Sequence, residues 1–359
     1  MDKHDYGLIG PGAIAAEAAG LKSAAWYHSE IPRAKMKELM KRSDGPAIRD
    51  TIIWLGAMVI LAALAAYLWP SWWAAVPLLC YGVLYGSATD SRWHECGHGT
   101  AFKTPWMNDA VYHIACFMIM RNPTRWRWSH TRHHTDTIIV GLDPEIAVMR
   151  PPAALCVAAG FIGIFDAWDA MKMMLFNAAG TIAAEEKTFI PEMEWPKVIL
   201  VARIWVLIYA VTVAACFYFH SVLPLLLVGL PRLYGAWHHV LTGLMQHGGL
   251  ADNVLDHRMN SRTVYINPVS RFIYWNMNYH VEHHMFPMVP YHALPKLHAL
   301  IKDDLPAPTP SMWACYREMF PIWVRQMHGE DIFLLRKLPD TAKPYQPGLH
   351  GQQLPEAAE

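Results

Sequence analysis

"TIIWLGAMVILAALAAYLW", residues 51–69, contains no charged side chain. At 1.5 Å rise per residue a helix of this length spans about 28 Å, close to the roughly 30 Å hydrocarbon core of a bilayer, so the stretch is read as a transmembrane helix. Pro70 and Ser71 follow, and a second uncharged run, "WWAAVPLLCYGVLYGSAT", carries the chain to Asp90. With almost no loop between them, the two runs predict a helical hairpin. A second hairpin is predicted from "VILVARIWVLIYAVTVAACFYF" (198–219) and "VLPLLLVGLPRLYGAWHHVLTGLM" (222–245), turning at His220 and Ser221. Arg203 lies near one end of its segment, where a long side chain can snorkel to the interface.

Composition agrees with a membrane protein. Of 359 residues, 53% are hydrophobic and only 17% charged, with 16 Trp and 20 Met, which leaves too little polar surface for an ordinary soluble enzyme. Lys plus Arg equals Asp plus Glu, so global charge gives no argument for nucleic acid as a partner. Cys80, Cys96, Cys116, Cys156, Cys216 and Cys315 are far apart and form no C-x-x-C pair, which excludes a zinc ribbon and an iron–sulfur or rubredoxin-like module. The start, "MDKHDYGLIGPGAIAAEAAG", lacks a basic stretch followed by an apolar core and is not read as a signal peptide.

Positive charge predicts orientation. Arg33, Lys35, Lys37, Lys41, Arg42 and Arg49 precede the first span, whereas the hairpin turns carry no Lys or Arg. The N-terminus is therefore expected on the cytoplasmic side and the turns outside. Residues 108–120 are too short to span, and 152–176 are interrupted by Asp166, Asp169 and Lys172. Both are read as interfacial or re-entrant helices.

Histidine is the compositional outlier, with twenty in a neutral chain. "RWHECGHGTAF" (92–102) places His94 and His98 one helical turn apart. It also spells H-E-x-x-H, the zinc protease pattern in which Glu95 would activate water. "RWRWSHTRHHTDT" gives His130, His133 and His134, and "NYHVEHHMFP" gives His280, His283 and His284, at identical i, i+3, i+4 spacing. On the predicted topology all three groups fall just inside the cytoplasmic face. Eight histidines exceed what one catalytic zinc uses, so two metals are implied. Imidazole suits zinc, copper, iron and nickel alike. The setting favours iron: lipid-like chains offer no bond to hydrolyse near their middle, and an unactivated C–H bond needs a redox-active metal with dioxygen.

H-x-x-x-H at 94–98 followed by H-x-x-H-H at 130–134 and 280–284 resembles the three histidine boxes of the membrane fatty acid desaturase and hydroxylase superfamily. The flanking "WSHTRHHTDT" and "NYHVEHHMFPMVPYHALPKLH" resemble those of bacterial acyl desaturases. The resemblance covers roughly residues 45–305. It implies an all-α integral membrane fold: four transmembrane helices in two hairpins under a cytosolic helical cap that holds a di-iron site. Residues 1–44 would be a cytosolic N-terminal segment, 306–337 a C-terminal cytosolic helical segment and 338–359 a disordered tail. The membrane expected is a bacterial inner membrane, with both termini and the active site cytoplasmic.

The resemblance also implies a ninth ligand before the third box, for which His247 in "LMQHGGL" is placed at the metal level; His238 and His239 lie two turns earlier. The expected ligands are then His94, His98, His130, His133, His134, His247, His280, His283 and His284. They would hold two iron ions, with dioxygen as co-substrate, and their division between the irons is left open. Asp136, Asp143, Glu145, Asp252 and Glu282 are close enough in sequence to orient ligand histidines, and Glu95 becomes a supporting or surface carboxylate. Trp93, Trp126, Trp128, Phe117 and Tyr279 are candidates for a channel lining or for interfacial anchors. Desaturation of a fatty acyl or lipid-like chain is favoured over hydroxylation of a lipid, hydrocarbon or small polar compound. An intramembrane zinc protease is the remote rival. Electrons would come from a separate ferredoxin, rubredoxin or cytochrome, and Arg121, Arg125, Arg127 and Arg132 are candidates for its docking surface or for lipid headgroup contacts.

Overall fold

The computed structural model describes residues 4–345. Among these, the chain is helices and turns with two isolated β-bridges and no strand. In chain order the helices that frame the site are α1 (Asp44–Leu68), α2 (Ala75–Gly86), α3 (Ala88–Gly97), α4 (Pro105–Met118), α5 (Pro123–Thr135), α6 (Ala154–Gly160) and α7 (Ile164–Ala178). They continue with α8 (Trp195–Tyr218), α9 (Leu223–Leu227), α10 (Pro231–Tyr234), α11 (Trp237–His247), α12 (His280–Met285), α13 (Leu294–Ile301) and α14 (Met312–Met327).

Two helical stretches, Arg33–Leu68 and Glu192–Tyr218, are long and apolar enough to cross a membrane. Their outward side chains, among them Ile52, Val59, Ile60, Leu64, Leu207 and Val211, are apolar yet exposed, as a lipid-facing surface requires. The inward face of α1 buries Trp54, whose Nε1–H donates to Leu84 O at 2.8 Å and fastens α1 to α2.

The expected partner spans are not single helices. Residues 72–89 form a 3-10 turn at Trp72–Ala74, then α2, with a break at Ser87 before α3. Residues 222–245 are cut into α9, α10 and most of α11. Pro224 and Pro231 each open a new helix, and Gly229 sits at φ +93°, so proline and glycine chemistry explains the segmentation. The breaks permit very close packing: a Cβ on Gly235 would lie 1.8 Å from Gly82 O. Ser87 Oγ completes the junction, donating to Gly235 O at 2.5 Å and accepting from His239 N at 2.9 Å.

The two hairpin tips meet at one end. Ala65, Ala74 and Leu78 bury against Leu68, Trp69, Leu226 and Leu227, and Tyr81 OH donates to Leu227 O at 2.8 Å. Trp72, Trp73, Tyr218 and Phe219 are exposed at these tips, where amphipathic rings suit a membrane–water interface.

Residues 152–176 fold as α6 and α7, bent by 82° at Gly163, whose φ is +61°. α7 exposes Phe165, Trp168 and Leu175 and buries Met174 and Asn177, an amphipathic division. Arg203 Nε–H donates to Ala178 O at 2.9 Å and closes the end of α7. All six cysteines are free. The first part of the expected disordered tail is held against residues 303–304, with Thr341 Oγ1 donating to Asp303 O at 2.6 Å and Lys343 N to Asp304 Oδ1 at 3.0 Å. The remainder of that tail, 346–359, lies outside the described residues.

Candidate metal centre

Each histidine group is set by a helix with a defined end. α3 carries His94 and closes on His98, one turn later. α5 starts where Asn122 Oδ1 accepts from Thr124 N and Arg125 N with Pro123 in the first turn, which fixes the register of His130, His133 and His134. α11 ends at His247, and α12 consists of little more than the third box.

The structure gathers the nine histidines into two groups. His94, His98, His130, His134 and His283 form one; His133, His247, His280 and His284 form the other. Within each group the facing ring nitrogens all lie within 4.8 Å of one another. The two H-x-x-H-H boxes are used in opposite senses. On α5 the i, i+4 pair His130 and His134 serves the first group and His133 the second; on α12 the pair His280 and His284 serves the second and His283 the first. Two short helices therefore bridge both groups.

The donor set fits metal ions. His130 Nδ1 lies 2.9 Å from Glu145 Oε2, His133 Nδ1 2.8 Å from Asp143 Oδ2 and His247 Nδ1 2.7 Å from Asn260 O. Protons at those Nδ1 atoms leave Nε2 lone pairs facing inward. There His130 Nε2 meets His98 Nε2 at 3.1 Å and His134 Nε2 at 3.2 Å, while His247 Nε2 meets His280 Nε2 at 3.0 Å. Converging lone pairs in a buried site call for cations between them. Burial first, then neighbouring histidines, holds His94, His130, His134, His280, His283 and His284 well below the ordinary histidine range. Burial puts His98 at about 4 against an opposing Glu145 charge that outweighs the lowering by His133, and burial followed by His133 puts His247 at about 3 against the Asn260 bond and Asp143. These imidazoles are neutral at pH 7, the form that binds metal. His133 differs: burial is the largest influence and lowers its pKa, but Asp143 and Glu145 together more than offset it.

Of the five carboxylates expected to orient ligands, two do so directly. Asp143 Oδ2 also accepts from Ile138 N at 2.8 Å and its Oδ1 from Glu145 N at 2.8 Å, so one buried turn presents both acids to α5. Asp136 instead accepts from Ser23 N at 3.2 Å, and Asp252 pairs with Arg150 at 3.4 Å. Glu282 faces Thr263 and His298. Glu95 accepts from Thr100 Oγ1 at 2.8 Å and Tyr291 N at 2.9 Å, partners outside both histidine groups. Burial raises its pKa to about 7. That placement removes it from the water-activating role of a zinc protease.

His238 and His239 are packed, not grouped: His238 Nε2 contacts Ser270 Oγ at 3.0 Å, and His239 Nδ1 contacts Gly86 O at 3.1 Å. Trp93 stands edge-on to His130 at 5.1 Å and contacts Trp126 at 5.5 Å. Phe117 stacks on Tyr209, and Tyr279 tilts against His298. The four arginines offered as a docking surface are all paired: Arg121 with Asp90, Arg125 with Glu186, Arg127 with Asp109 and Arg132 with Asp136. Sequence reasoning missed His257, which is buried, stacks on Trp26 at 4.3 Å and lies 5.1 Å from the His284 ring. It also gave no role to His298, although "PYHALPKLH" ends on it.

Residues 67–316 match the family described as fatty acid desaturase. The chain is 25% identical over 282 residues to a chloroplastic omega-3 fatty acid desaturase of Sesamum indicum, covering 70% of this chain and 59% of the relative. It is 24% identical over 292 residues to an endoplasmic reticulum acyl-lipid omega-3 desaturase (cytochrome b5) of Arabidopsis thaliana, covering 74% and 72%. With a chloroplastic sn-2 acyl-lipid omega-3 desaturase (ferredoxin) of Helianthus annuus, it shares 25% identity over 284 residues, covering 70% and 60%. The chain thus spans about three-fifths of the length of the two chloroplast relatives.

Proposed function

Because the chain belongs to the fatty acid desaturase family, we propose that it desaturates a membrane-held acyl chain at a pair of irons bound by the nine grouped histidines. The net reaction removes two hydrogens from adjacent carbons and reduces dioxygen to two waters with two electrons and two protons from outside. The observation that carries this reading is the pair of buried imidazole groups, five and four strong, with converging Nε2 atoms. The metals, when bound, supply the oxidant that an unactivated C–H bond requires.

The chain's own residues supply position and a dry setting. Asp143 and Glu145 hold the tautomers of His133 and His130. Trp93 covers the first group along its His130 edge, and Trp26 covers the second through His257. A cavity of about 160 Å³ lies beside α7, bounded by apolar Met173, Met174, Trp205 and Trp126 on one part and by charged Arg121, Arg125, Asp166 and Asp169 on another. Trp126 on its wall contacts Trp93, which stands against His130, and the mixed lining suits an acyl chain that carries a polar headgroup.

Four crossings in two hairpins, with the histidines together on the cytoplasmic side, complete the proposal. The joined hairpin tips support it, as does the convergence of histidines that lie between the two pairs of apolar segments with histidines that follow the second pair. Electrons come from a separate carrier: the relatives include one named for cytochrome b5 and one for ferredoxin. The test is lipid and metabolite profiling of cells expressing the chain or its His98→Ala variant. A product two mass units lighter than its precursor, absent with the variant, is expected. A product sixteen units heavier would assign hydroxylation, and no change in any lipid would refute the substrate class.

A further inference from the structure

α12 feeds both histidine groups, yet none of its ligands rests on a carboxylate, and only His284 has an Nδ1 partner, Thr137 Oγ1 at 3.2 Å. The Nδ1 atoms of His280 and His283 are buried without a hydrogen-bond partner, whereas those of His130 and His133 rest on carboxylates. With only six residues, α12 has little intrinsic stability to hold its own rotation. Something behind it must do so.

That support is on the face opposite the His280–His284 pair. Glu282 is fully buried and lies about 200° around the helix from both His280 and His284. Its Oε2 accepts from Thr263 Oγ1 at 2.5 Å, and its Oε1 makes a short contact with His298 Nδ1. His298 Nε2 in turn lies 3.1 Å from Tyr265 OH. With the proton on Nδ1, His298 donates to Glu282 and accepts from Tyr265, so its polar atoms are matched. His298 stands on α13, anchored by Leu294, Leu297 and Ile301, all buried. The segment bearing Thr263 is joined to the start of α12 by Val264 N donating to Asn278 O and Asn278 Nδ2 to Val264 O, each at 2.9 Å. Glu282 is thus clamped from two rigid neighbours.

We infer that His298, acting through Glu282, is a positioning residue that fixes the rotation of α12 and thereby the aim of the two metal groups relative to each other. This rests on the di-iron reading of the nine histidines. A residue in this role touches neither substrate nor metal, and its loss changes the electronic coupling of the pair before it changes occupancy.

The geometry gives a discriminating pair of variants. In His298→Asn the amide nitrogen replaces Nδ1 and can still donate to Glu282; in His298→Gln the amide reaches the Nε2 position and serves Tyr265 instead. Full-length protein loaded with iron-57 would be read by metal analysis, Mössbauer spectroscopy and turnover. His298→Asn and Tyr265→Phe should keep two irons and the wild-type spectrum. His298→Gln should keep iron but show altered or multiple spectral components, with kcat about 10- to 100-fold lower and KM little changed. An unaltered spectrum in His298→Gln, or equal loss of iron in the Asn and Gln variants, would overturn the inference. Wild-type protein without two irons would instead overturn the di-iron reading itself, so the two failures are distinguishable.

Discussion

Replacing Asp143 by Asn tests how the histidines are held. This carboxylate accepts three hydrogen bonds: from His133 Nδ1 and Ile138 N on Oδ2, and from Glu145 N on Oδ1, each at 2.8 Å. An amide of the same shape must turn its NH₂ toward one side. Toward Oδ2 it opposes two N–H groups, and His133 can relieve the clash only by moving its proton to Nε2, which removes it as a ligand. Toward Oδ1 it opposes Glu145 N and loosens the turn that carries Glu145 to His130. Either way a buried donor loses its acceptor, a cost of about 1–3 kcal/mol. At about 1.4 kcal/mol per tenfold, this agrees with the 10- to 100-fold fall in metal affinity expected on loss of an outer partner. The assay is iron retained against increasing chelator. Asp143→Asn should shift the midpoint about 10- to 100-fold, and Asp136→Asn, which loses contacts only to Ser23 and Arg132, should shift it less than about threefold. Equal shifts for the two, or none for Asp143→Asn, would refute the reasoning.

Glu95→Gln should retain iron and lose less than about tenfold in turnover, because a Gln oxygen can still accept from Thr100 and Tyr291; His98→Ala should give no detectable product, and parity between the two in product assays would revive the hydrolytic reading. Gly235→Ala drives a Cβ into Gly82 O, so the thermal midpoint in detergent should fall by an amount equivalent to on the order of 3 kcal/mol; an unchanged midpoint would mean the helices separate easily. Reporters fused after Ser71 and Ser221 should read as external and those after Thr137 and Pro290 as cytoplasmic; opposite sides for the last two would break the single-site arrangement.

Local signals in the sequence were readable because they act within one helix or one bilayer thickness. The uncharged length of 51–69 marks α1, and the i, i+3, i+4 spacing marks the box helices. The His247 expectation came from its place before the third box, and the structure sets that residue beside His280. What could not be read depends on long-range packing. Division into groups of five and four follows from how α5 and α12 face each other, and identical spacing in the two boxes conceals their opposite use. Asp143 and Glu145 reach α5 through a tight turn, but nothing local distinguishes them from Asp136, which bonds a residue 113 positions away. The acids that pair with Arg125 and Arg127, Glu186 and Asp109, lie 61 and 18 positions away and could not be matched to them from sequence. Segmentation of 222–245 was hinted at by Pro224, Gly229 and Pro231; uniform hydropathy outweighed them.

Metal content of the full-length chain, purified without oxygen and analysed for iron and zinc together, tests the central claim most directly. Two facing imidazole groups predict about two irons per chain and little zinc. One tightly held zinc per chain, with no iron-dependent activity on any lipid, would contradict it.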